Sequence, residues 1–393
     1  MNITYIHQHF KLPREDGGSR PYEFARRMVH EGHQVTMICG GEEALDETVE
    51  GIHVRRLAVP YDNSMSMAKR MMSFARFMIV SSAVAARTHP DVVFASSTPL
   101  TVAISGVVAK TIRNVPMVFE VRDLWPEVPV ELGFLKNPVI IGLAEFLEKI
   151  AYSSSKKIVA LSPGMRDGVV KVDPKADVTI VPNASDVALF SRTEEERQAF
   201  RKEQGWGEEE TVIVYAGGFG YVYELEWAVD LAAKLKEDNV RFILLGAGSS
   251  TPALEAQAKA LGLSPAEVLP GKQPKVQVAN YVASADLVLS SLRLDPCLEP
   301  CSLNKVFDAM AASRPILFNH KGWLRDLAVA EGAGFDLPRD LDAAAEVIRE
   351  LRQEPEKLRQ AAEVSGRIGR EEFDRDLLFR KLMRVLYDAV EKK

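Results

Sequence analysis

The chain has 393 residues, room for two domains of ordinary size, and 47% of them are hydrophobic, enough for two buried cores. A formal net charge of −6 argues against nucleic acid as a partner, and no unbroken apolar run reaches the ~18 residues of a membrane span. The three cysteines, Cys39, Cys297 and Cys301, are too few for a disulfide framework and fit a reducing cytoplasm; no second Cys/His pair accompanies Cys297 and Cys301 to complete a metal site.

The first residues read as a strand rather than a signal peptide, because no basic region precedes a long apolar run. Strands are expected at residues 3–6, 34–38, 53–57, 92–95, 117–121, 157–161 and 178–181, and helices at 21–31, 65–87, 100–112, 138–152 and 163–170. The rhythm restarts at Thr211, with strands expected at 211–216, 241–245, 268–269, 286–290, 316–318 and 334–336; beyond Pro355 the chain reads as helix. Short apolar strands alternating with helical patterns define an α/β architecture with parallel sheets. Each half opens with a strand, a glycine pair (Gly17-Gly18, Gly217-Gly218) and a helix. We therefore expect two facing Rossmann-like domains, 1–185 and 186–371, with a C-terminal helix over 372–393 crossing back to the first.

The segment from Leu298 to Leu317 carries the most chemistry. It joins a buried strand to a helix starting near Asn304 through a polar loop holding Glu299, Ser302, Asn304 and Lys305. Open α/β sheets bind ligands at the carboxyl ends of strands, and helix N-termini bind phosphates. Acidic residues on either side of such a helix start point to a sugar attached to a nucleotide. Val306, Phe307 and Met310 form the buried stripe, leaving Asn304 and Asp308 together at i,i+4. Asp308 could accept ribose hydroxyls while Lys305 neutralises phosphate charge, or the two could pair as a solvated face.

The glycine loops at Gly17-Gly18 and Gly217-Gly218 let a ligand approach the backbone closely, or are plain strand-to-helix turns; Gly246 and Gly248 pose the same choice. Arg20 could contact a phosphate or cap a surface. Where the chain leaves the strand at 117–121, Asp123 or Glu127 could accept a proton from an acceptor hydroxyl, or Arg122 could pair with a carboxylate to fix the loop. His7 and His9 end the first strand and could hydrogen-bond a substrate or be satisfied within the loop. Residues 52–90 hold six basic side chains against one acid, and five of the twelve methionines fall between Met65 and Met78. Met67, Met71, Phe74 and Met78 share one helical face, with Lys69 and Arg76 elsewhere on the wheel. This matches a basic amphipathic helix lying in an anionic membrane surface, or a core-facing helix.

With these motifs in place, the chain resembles the retaining family-4 glycosyltransferases of the GT-B fold, nearest the N-acetylfucosamine-transferase-like branch that builds bacterial O-antigen, capsule and exopolysaccharide. The resemblance is carried along nearly the whole length, by His7 to Phe10, Gly17 to Arg26, Asn63 to Ser66, Ala95 to Leu100, Phe119 to Glu127, Leu161 to Met165, Val181 to Asn183, Asn304 to Ala311 and Gly322 to Asp326. It implies transfer of a sugar, with an N-acetylamino sugar the first choice, from a UDP-linked donor to a lipid-linked saccharide of undecaprenyl-diphosphate type at the inner membrane face. It implies that the second domain holds the donor and the first the acceptor, with no metal, cofactor or protein nucleophile. Gly17, Gly18, Gly217, Gly218, Arg293, Asn304, Lys305 and Asp308 are then the donor-binding candidates. His9, Arg20 and Arg122 are those for the acceptor, and Asp123, Glu127 and Glu299 those for catalysis. Lys69, Arg70, Met71, Phe74 and Arg76 are the membrane candidates.

Three departures from that family's pattern stand out. Glu299 and Asp308 are nine apart, one more than the usual acidic pair. Tyr221 and Tyr223 occupy the loop that usually supplies a basic residue to the diphosphate, so Lys305, Arg293 or Lys272 must serve. Arg122-Asp123 stands where relatives hold His-Asp. A nucleotide-sugar epimerase of the same fold and a non-catalytic scaffold subunit of a polysaccharide assembly complex are the alternatives.

Overall fold

The computed structural model describes residues 1–15, 20–62 and 65–391. The chain forms two compact units, one of Met1–Pro182 with Phe379–Lys393 and one of Asn183–Leu378, where 185 and 372 were the expected boundaries. The expected glycines Gly17 and Gly18 lie outside the described residues.

The first unit runs β1 (Asn2–Ile6), α1 (Arg20–His30), β2 (Gln34–Gly41), β3 (Leu45–Val49), β4 (Ile52–Ala58), α2 (Met67–Ala85), β5 (Val92–Ser96), α3 (Val102–Arg113) and β6 (Met117–Val121). It continues with α4 (Glu127–Glu131), α5 (Pro138–Ser154), β7 (Lys157–Ala160), α6 (Pro163–Val172) and β8 (Val178–Ile180). The strands form one sheet in the order β3-β4-β2-β1-β5-β6-β7-β8, with β3 antiparallel to β4 and the remaining pairs parallel. β5 and β6 are buried along their whole length, as expected of strands covered by helices on both faces. The β3–β4 hairpin turns on Glu50 (φ 49°) and Gly51 (φ 80°); two positive φ values match the right-handed strand twist. Helix starts are specified locally. Asn137 Oδ1 accepts the Val139 N–H at 3.0 Å ahead of Pro138, and Ser162 Oγ accepts the Met165 N–H at 3.1 Å ahead of Pro163.

The second unit holds α7 (Val187–Phe190), α8 (Glu194–Glu203), β9 (Thr211–Ala216), a single 3-10 turn at Tyr221–Tyr223, α9 (Leu225–Lys234), β10 (Val240–Leu245), α10 (Thr251–Ala260), α11 (Pro265–Val268) and α12 (Lys275–Ser284). β11 (Leu287–Ser290), α13 (Asn304–Ala311), β12 (Ile316–Phe318), α14 (Trp323–Glu331), β13 (Gly334–Asp336), α15 (Leu341–Arg352), α16 (Pro355–Glu371) and α17 (Arg375–Val390) follow. Its five strands are all parallel, in the order β10-β9-β11-β12-β13. The strand expected at 268–269 is instead the end of α11, where Pro265 starts a helical turn and Val268 and Leu269 bury their side chains without a ladder. From Phe379 onward α17 belongs to the first unit. There Phe379 meets Phe24 with ring centroids 6.0 Å apart, and the Tyr387 hydroxyl lies 3.0 Å from His33 Nε2.

Strand order fixes where each unit can hold a ligand. In the first, the chain order reverses between β1 and β5; in the second, between β9 and β11. Helices on opposite faces diverge at such switch points and leave a crevice beyond the carboxyl ends of the two strands. His7, His9 and Thr98 follow β1 and β5; Gly217, Gly218 and Arg293 follow β9 and β11.

Candidate active site

In the second unit, Lys305 is the second residue of α13, and its side chain points back across the loop leaving β9. It is 5% exposed. Its Nζ lies 4.6 Å from the ring centroid of Tyr215 and 4.3 Å from that of Tyr223. Gly217 leaves room for it: a Cβ there would meet Tyr215 Oη at 3.1 Å and Lys305 Cε at 3.2 Å. Burial pushes the Lys305 ammonium down to about 7, against the smaller opposing pull of Cys301 and Asp308. The loop at Gly246 and Gly248 supports this arrangement from beneath. A Cβ on Gly246 would lie 1.8 Å from the Gly217 carbonyl oxygen, and one on Gly248 2.3 Å from that of Phe219. The two loops are also joined by Phe219 N–H to Ala247 O at 3.1 Å. These glycines act as packing elements under the Gly217-Gly218 loop.

Asn304 is exposed at the first position of α13, and Asp308 is half-buried one turn further on. Asp308 Oδ1 accepts the Ser185 hydroxyl at 2.6 Å; burial raises its carboxyl, partly offset by Ser185, Lys275 and Arg375. Asn183 ties the same segment down, donating from its backbone N–H to Ser302 Oγ (3.3 Å) and from Nδ2 to Ser302 O (2.8 Å). Ser185 went unnoticed in the sequence: a serine in a loop carries no pattern, and its partner is 123 residues away.

Arg293 and Glu299 line a cleft of about 140 Å³ together with Lys321. The Arg293 guanidinium lies 4.2 Å over the Tyr221 ring, and the backbone N–H of Arg293 donates to Val222 O at 2.9 Å, which ties β11's exit to the turn bearing Tyr223. Glu299 is exposed, and its backbone packs against Gly322, where a Cβ would lie 2.7 Å from Glu299 O. Lys305, Gly217, Gly218 and Arg293 are thus gathered around the Tyr221–Tyr223 turn, with Asn304 and Asp308 along α13. His320, between them and β12, is neutral. Its Nδ1 donates to Lys321 O (2.7 Å), Nε2 accepts the Ser290 hydroxyl (2.9 Å), and burial lowers it to about 4.

In the first unit, a buried polar chain underlies the crevice. Arg122 Nη1 lies 3.2 Å from His7 Nε2; a guanidinium can only donate, so Nε2 accepts and Nδ1–H donates to Ser96 O at 3.0 Å. Burial, reinforced by Arg122, keeps His7 neutral. Ser96 Oγ donates to Glu120 (2.6 Å), whose other oxygen accepts Arg20 Nε at 2.9 Å. Arg20 also donates to the carbonyls of Val181 (2.9 Å) and Pro182. All three of its nitrogens are engaged in the interior, which corrects the expectation that Arg20 contacts the acceptor: it neutralises the buried Glu120 carboxylate instead. His9 borders a cavity of about 840 Å³ lined by Gln8, Lys11, Gly40, Tyr61 and Thr98. Asp123 stands at the rim, accepting from Thr98 Oγ1 at 2.9 Å. Glu127 is exposed at the first turn of α4, and Trp125 packs on the core.

The α2 stripe is also corrected. Phe74 is 6% exposed, stacked on Tyr61 with centroids 5.3 Å apart, and Met71 is half-buried, so this face closes the core. The outward face carries Met72 (71% exposed) and Ile79 (67%), with Lys69 and Arg76 exposed beside them. On α5, Val139, Leu143 and Phe146 are likewise exposed. No helix among the described residues is long and apolar enough to cross a membrane.

Two units of parallel α/β sheet, each with a crevice at its switch point, define the GT-B class, and the chain is a glycosyltransferase. Residues 17–184 match the glycosyl transferase 4-like domain, and residues 196–367 match the glycosyl transferases group 1 domain. Among curated proteins, the chain is 23% identical to the putative colanic acid biosynthesis glycosyl transferase WcaI of Escherichia coli. That match runs over 158 residues and covers 39% of this chain and 39% of that protein. Among solved structures it is similar to Anabaena HepE in complex with UDP and glucose, at TM-score 0.73 and 16% identity, covering 99% of this chain and 100% of that one. It is also similar to sucrose-phosphate synthase from Thermosynechococcus elongatus, at TM-score 0.79 and 16% identity, covering 98% of each chain.

Proposed function

We propose that the chain is a retaining, metal-independent glycosyltransferase that moves a sugar, with an N-acetylamino sugar the first choice, from a UDP-linked donor to a lipid-linked saccharide in bacterial surface polysaccharide biosynthesis. The observation that carries this reading is Lys305, a buried ammonium at the switch point of the second unit, beside Gly217 and at the start of a helix. As the sugar–phosphate bond breaks, negative charge grows on the departing diphosphate. A preplaced cation in a site shielded from water stabilises that charge far more than one in bulk solvent. Asn304 and Asp308 follow on the same helix at the spacing to accept ribose hydroxyls, and Arg293 and Glu299 face the cleft where a donor sugar would lie. In the retaining reaction the departing phosphate assists attack from its own side of the ring, so no protein nucleophile is assigned. His9 and Arg122 are the acceptor candidates that keep access to the crevice, and Asp123 and Glu127 orient the acceptor hydroxyl or take its proton. HepE, solved with UDP and glucose, and WcaI, named for colanic acid biosynthesis, support the donor class and the pathway class.

The same reading places the first unit on the inner face of the cytoplasmic membrane, through Met72 and Ile79 of α2 rather than Met71 and Phe74. Residues 52–90 carry six basic side chains and one acid in a chain of net charge −6, which suits an anionic lipid surface.

Thermal shift with UDP, GDP and TDP, followed by single-turnover transfer to a lipid-linked saccharide, tests the proposal. Stabilisation by UDP and transfer with retained configuration are expected. Epimerised donor formed without any acceptor would assign the chain to the epimerases instead, and binding without turnover would make it a scaffold. For the membrane contact, Met72→Asp with Ile79→Asp should abolish co-flotation with anionic vesicles while leaving UDP affinity intact. Unchanged flotation would remove α2 from the interface.

A further inference from the structure

The loop and turn leaving β9, residues 217–224, contain no lysine, arginine or histidine. Their one charged side chain, Glu224, is paired with Arg339 at 2.5 Å. Two cations from elsewhere in the unit nevertheless rest on the rings of this turn. Lys305 Nζ lies over Tyr223 (4.3 Å) and Tyr215 (4.6 Å), and the Arg293 guanidinium lies over Tyr221 (4.2 Å). The rings of Tyr215 and Tyr223 have centroids 6.4 Å apart and are inclined by 64°, forming two walls of a corner. Tyr215 is locked in place because its hydroxyl donates to Gly218 O at 2.8 Å.

We propose that Tyr215 and Tyr223 are positioning residues whose ring faces hold the Lys305 ammonium beside Gly217 in place of a counter-ion, so that the diphosphate of the nucleotide donor becomes its anionic partner. This rests on the donor reading above and specifies how that site meets the diphosphate. A carboxylate in the same corner would also anchor the lysine, but it would cancel its charge and repel an incoming diphosphate. An aromatic quadrupole attracts the cation by ~0.5–2 kcal/mol while leaving its net charge intact. Cys301 and Asp308 pull on the Lys305 ammonium more weakly than burial acts against it. Asp308, on the same helix, accepts from Ser185. His320 beyond β12 is held neutral by Ser290 and Lys321. Burial raises the Tyr215 hydroxyl well above its usual range, so it stays protonated and adds no counter-charge. Because burial brings the ammonium down to about 7, the donor should bind with uptake of a proton as the pH rises through neutrality.

The test is calorimetric titration of the full chain with UDP, and with uridine by displacement, in the wild type, Tyr223→Phe and Tyr223→Leu. Phenylalanine keeps the ring face and should stay within about threefold of wild type. Leucine removes it and should weaken UDP by roughly tenfold with uridine unchanged. In the wild type, UDP-N-acetylglucosamine, whose esterified diphosphate has no proton to lose in this range, should bind with uptake of about half a proton at pH 7 and essentially none at pH 5.5, read in buffers of different ionisation enthalpy. That measurement decides the matter should the leucine variant fail to fold. Equal weakening of UDP and uridine would reduce Tyr223 to shaping the nucleoside pocket and overturn the proposal. So would UDP affinity unaffected by the leucine, or no proton uptake at pH 7. Failure of the wild type to bind UDP, GDP or TDP at all would remove the donor reading beneath it.

Discussion

Replacing Lys305 by methionine should stabilise the protein while removing its donor grip, and the gain should depend on pH. Folding lowers the ammonium from its usual 10.5 to about 7, so between those values the unfolded chain holds a proton that the folded one lacks. Wild-type stability therefore rises with pH across that window, and the full penalty of burying the charge is present below about pH 7. Each tenfold change in proton affinity is about 1.36 kcal/mol, so the fall sets an upper limit of about 5 kcal/mol. Two ring faces return ~0.5–2 kcal/mol each to the charged form, which leaves about 1–4 kcal/mol for methionine to recover. Methionine matches the unbranched stem, so little packing is lost. For a unit of this size the change corresponds to a rise in Tm of roughly 2–16 °C at pH 6. The gain should shrink to a few tenths of a kcal/mol (~RT ln 2) at pH 10.5, where the wild-type lysine is neutral when folded and half-protonated when unfolded. Differential scanning calorimetry at pH 6 and pH 10 measures both, and UDP titration measures the functional loss. A variant no more stable than wild type at pH 6 would refute the reasoning, because the buried ammonium would then cost nothing. An equal gain at both pH values would trace the effect to packing.

Other expectations follow from the same geometry. Arg20→Met strands the Glu120 carboxylate in the interior and should cost about 3–5 kcal/mol, read by urea unfolding, with the acceptor KM unchanged; a stable variant with a raised acceptor KM would restore Arg20 to the acceptor site. Gly246→Ala should lose UDP affinity and at least about 2 kcal/mol of stability, since its Cβ would overlap the Gly217 carbonyl oxygen; wild-type behaviour in both titrations would show the two loops to be independent. Transfer should survive EDTA unchanged, and loss of activity restored by added magnesium or manganese would end the metal-independent reading.

The sheets were legible because their strands are nearly continuous apolar runs. β5 and β6 stand out as segments that only a buried strand explains. The hairpin strand β3 was missed, since Leu45, Asp46 and Thr48 sit in an edge segment whose charges resemble a loop. The amphipathic reading of α2 failed in phase rather than in kind. The helix is apolar on two sides, with Phe74 and Phe77 inward and Met72 and Ile79 outward, and periodicity alone does not say which side meets the sheet.

Site residues divide along a similar line. The placement of Asn304, Lys305 and Asp308 on one helix was legible because a helix N-terminus after a buried strand is a local pattern. Arg20 was misread because the partners that consume it, Glu120, Val181 and Pro182, lie 100 or more residues away. Tyr215 was invisible for a different reason: inside β9 it is indistinguishable from any aromatic core residue until α13 brings a cation to its face. On the proposed donor reading, the same contact accounts for how a loop without basic residues can belong to a diphosphate site. There the charge would come from α13, and the loop would contribute the ring face on which it rests. Lysine and the two aromatic walls therefore act as one unit, and changing any of the three should alter diphosphate affinity before it alters recognition of the nucleoside.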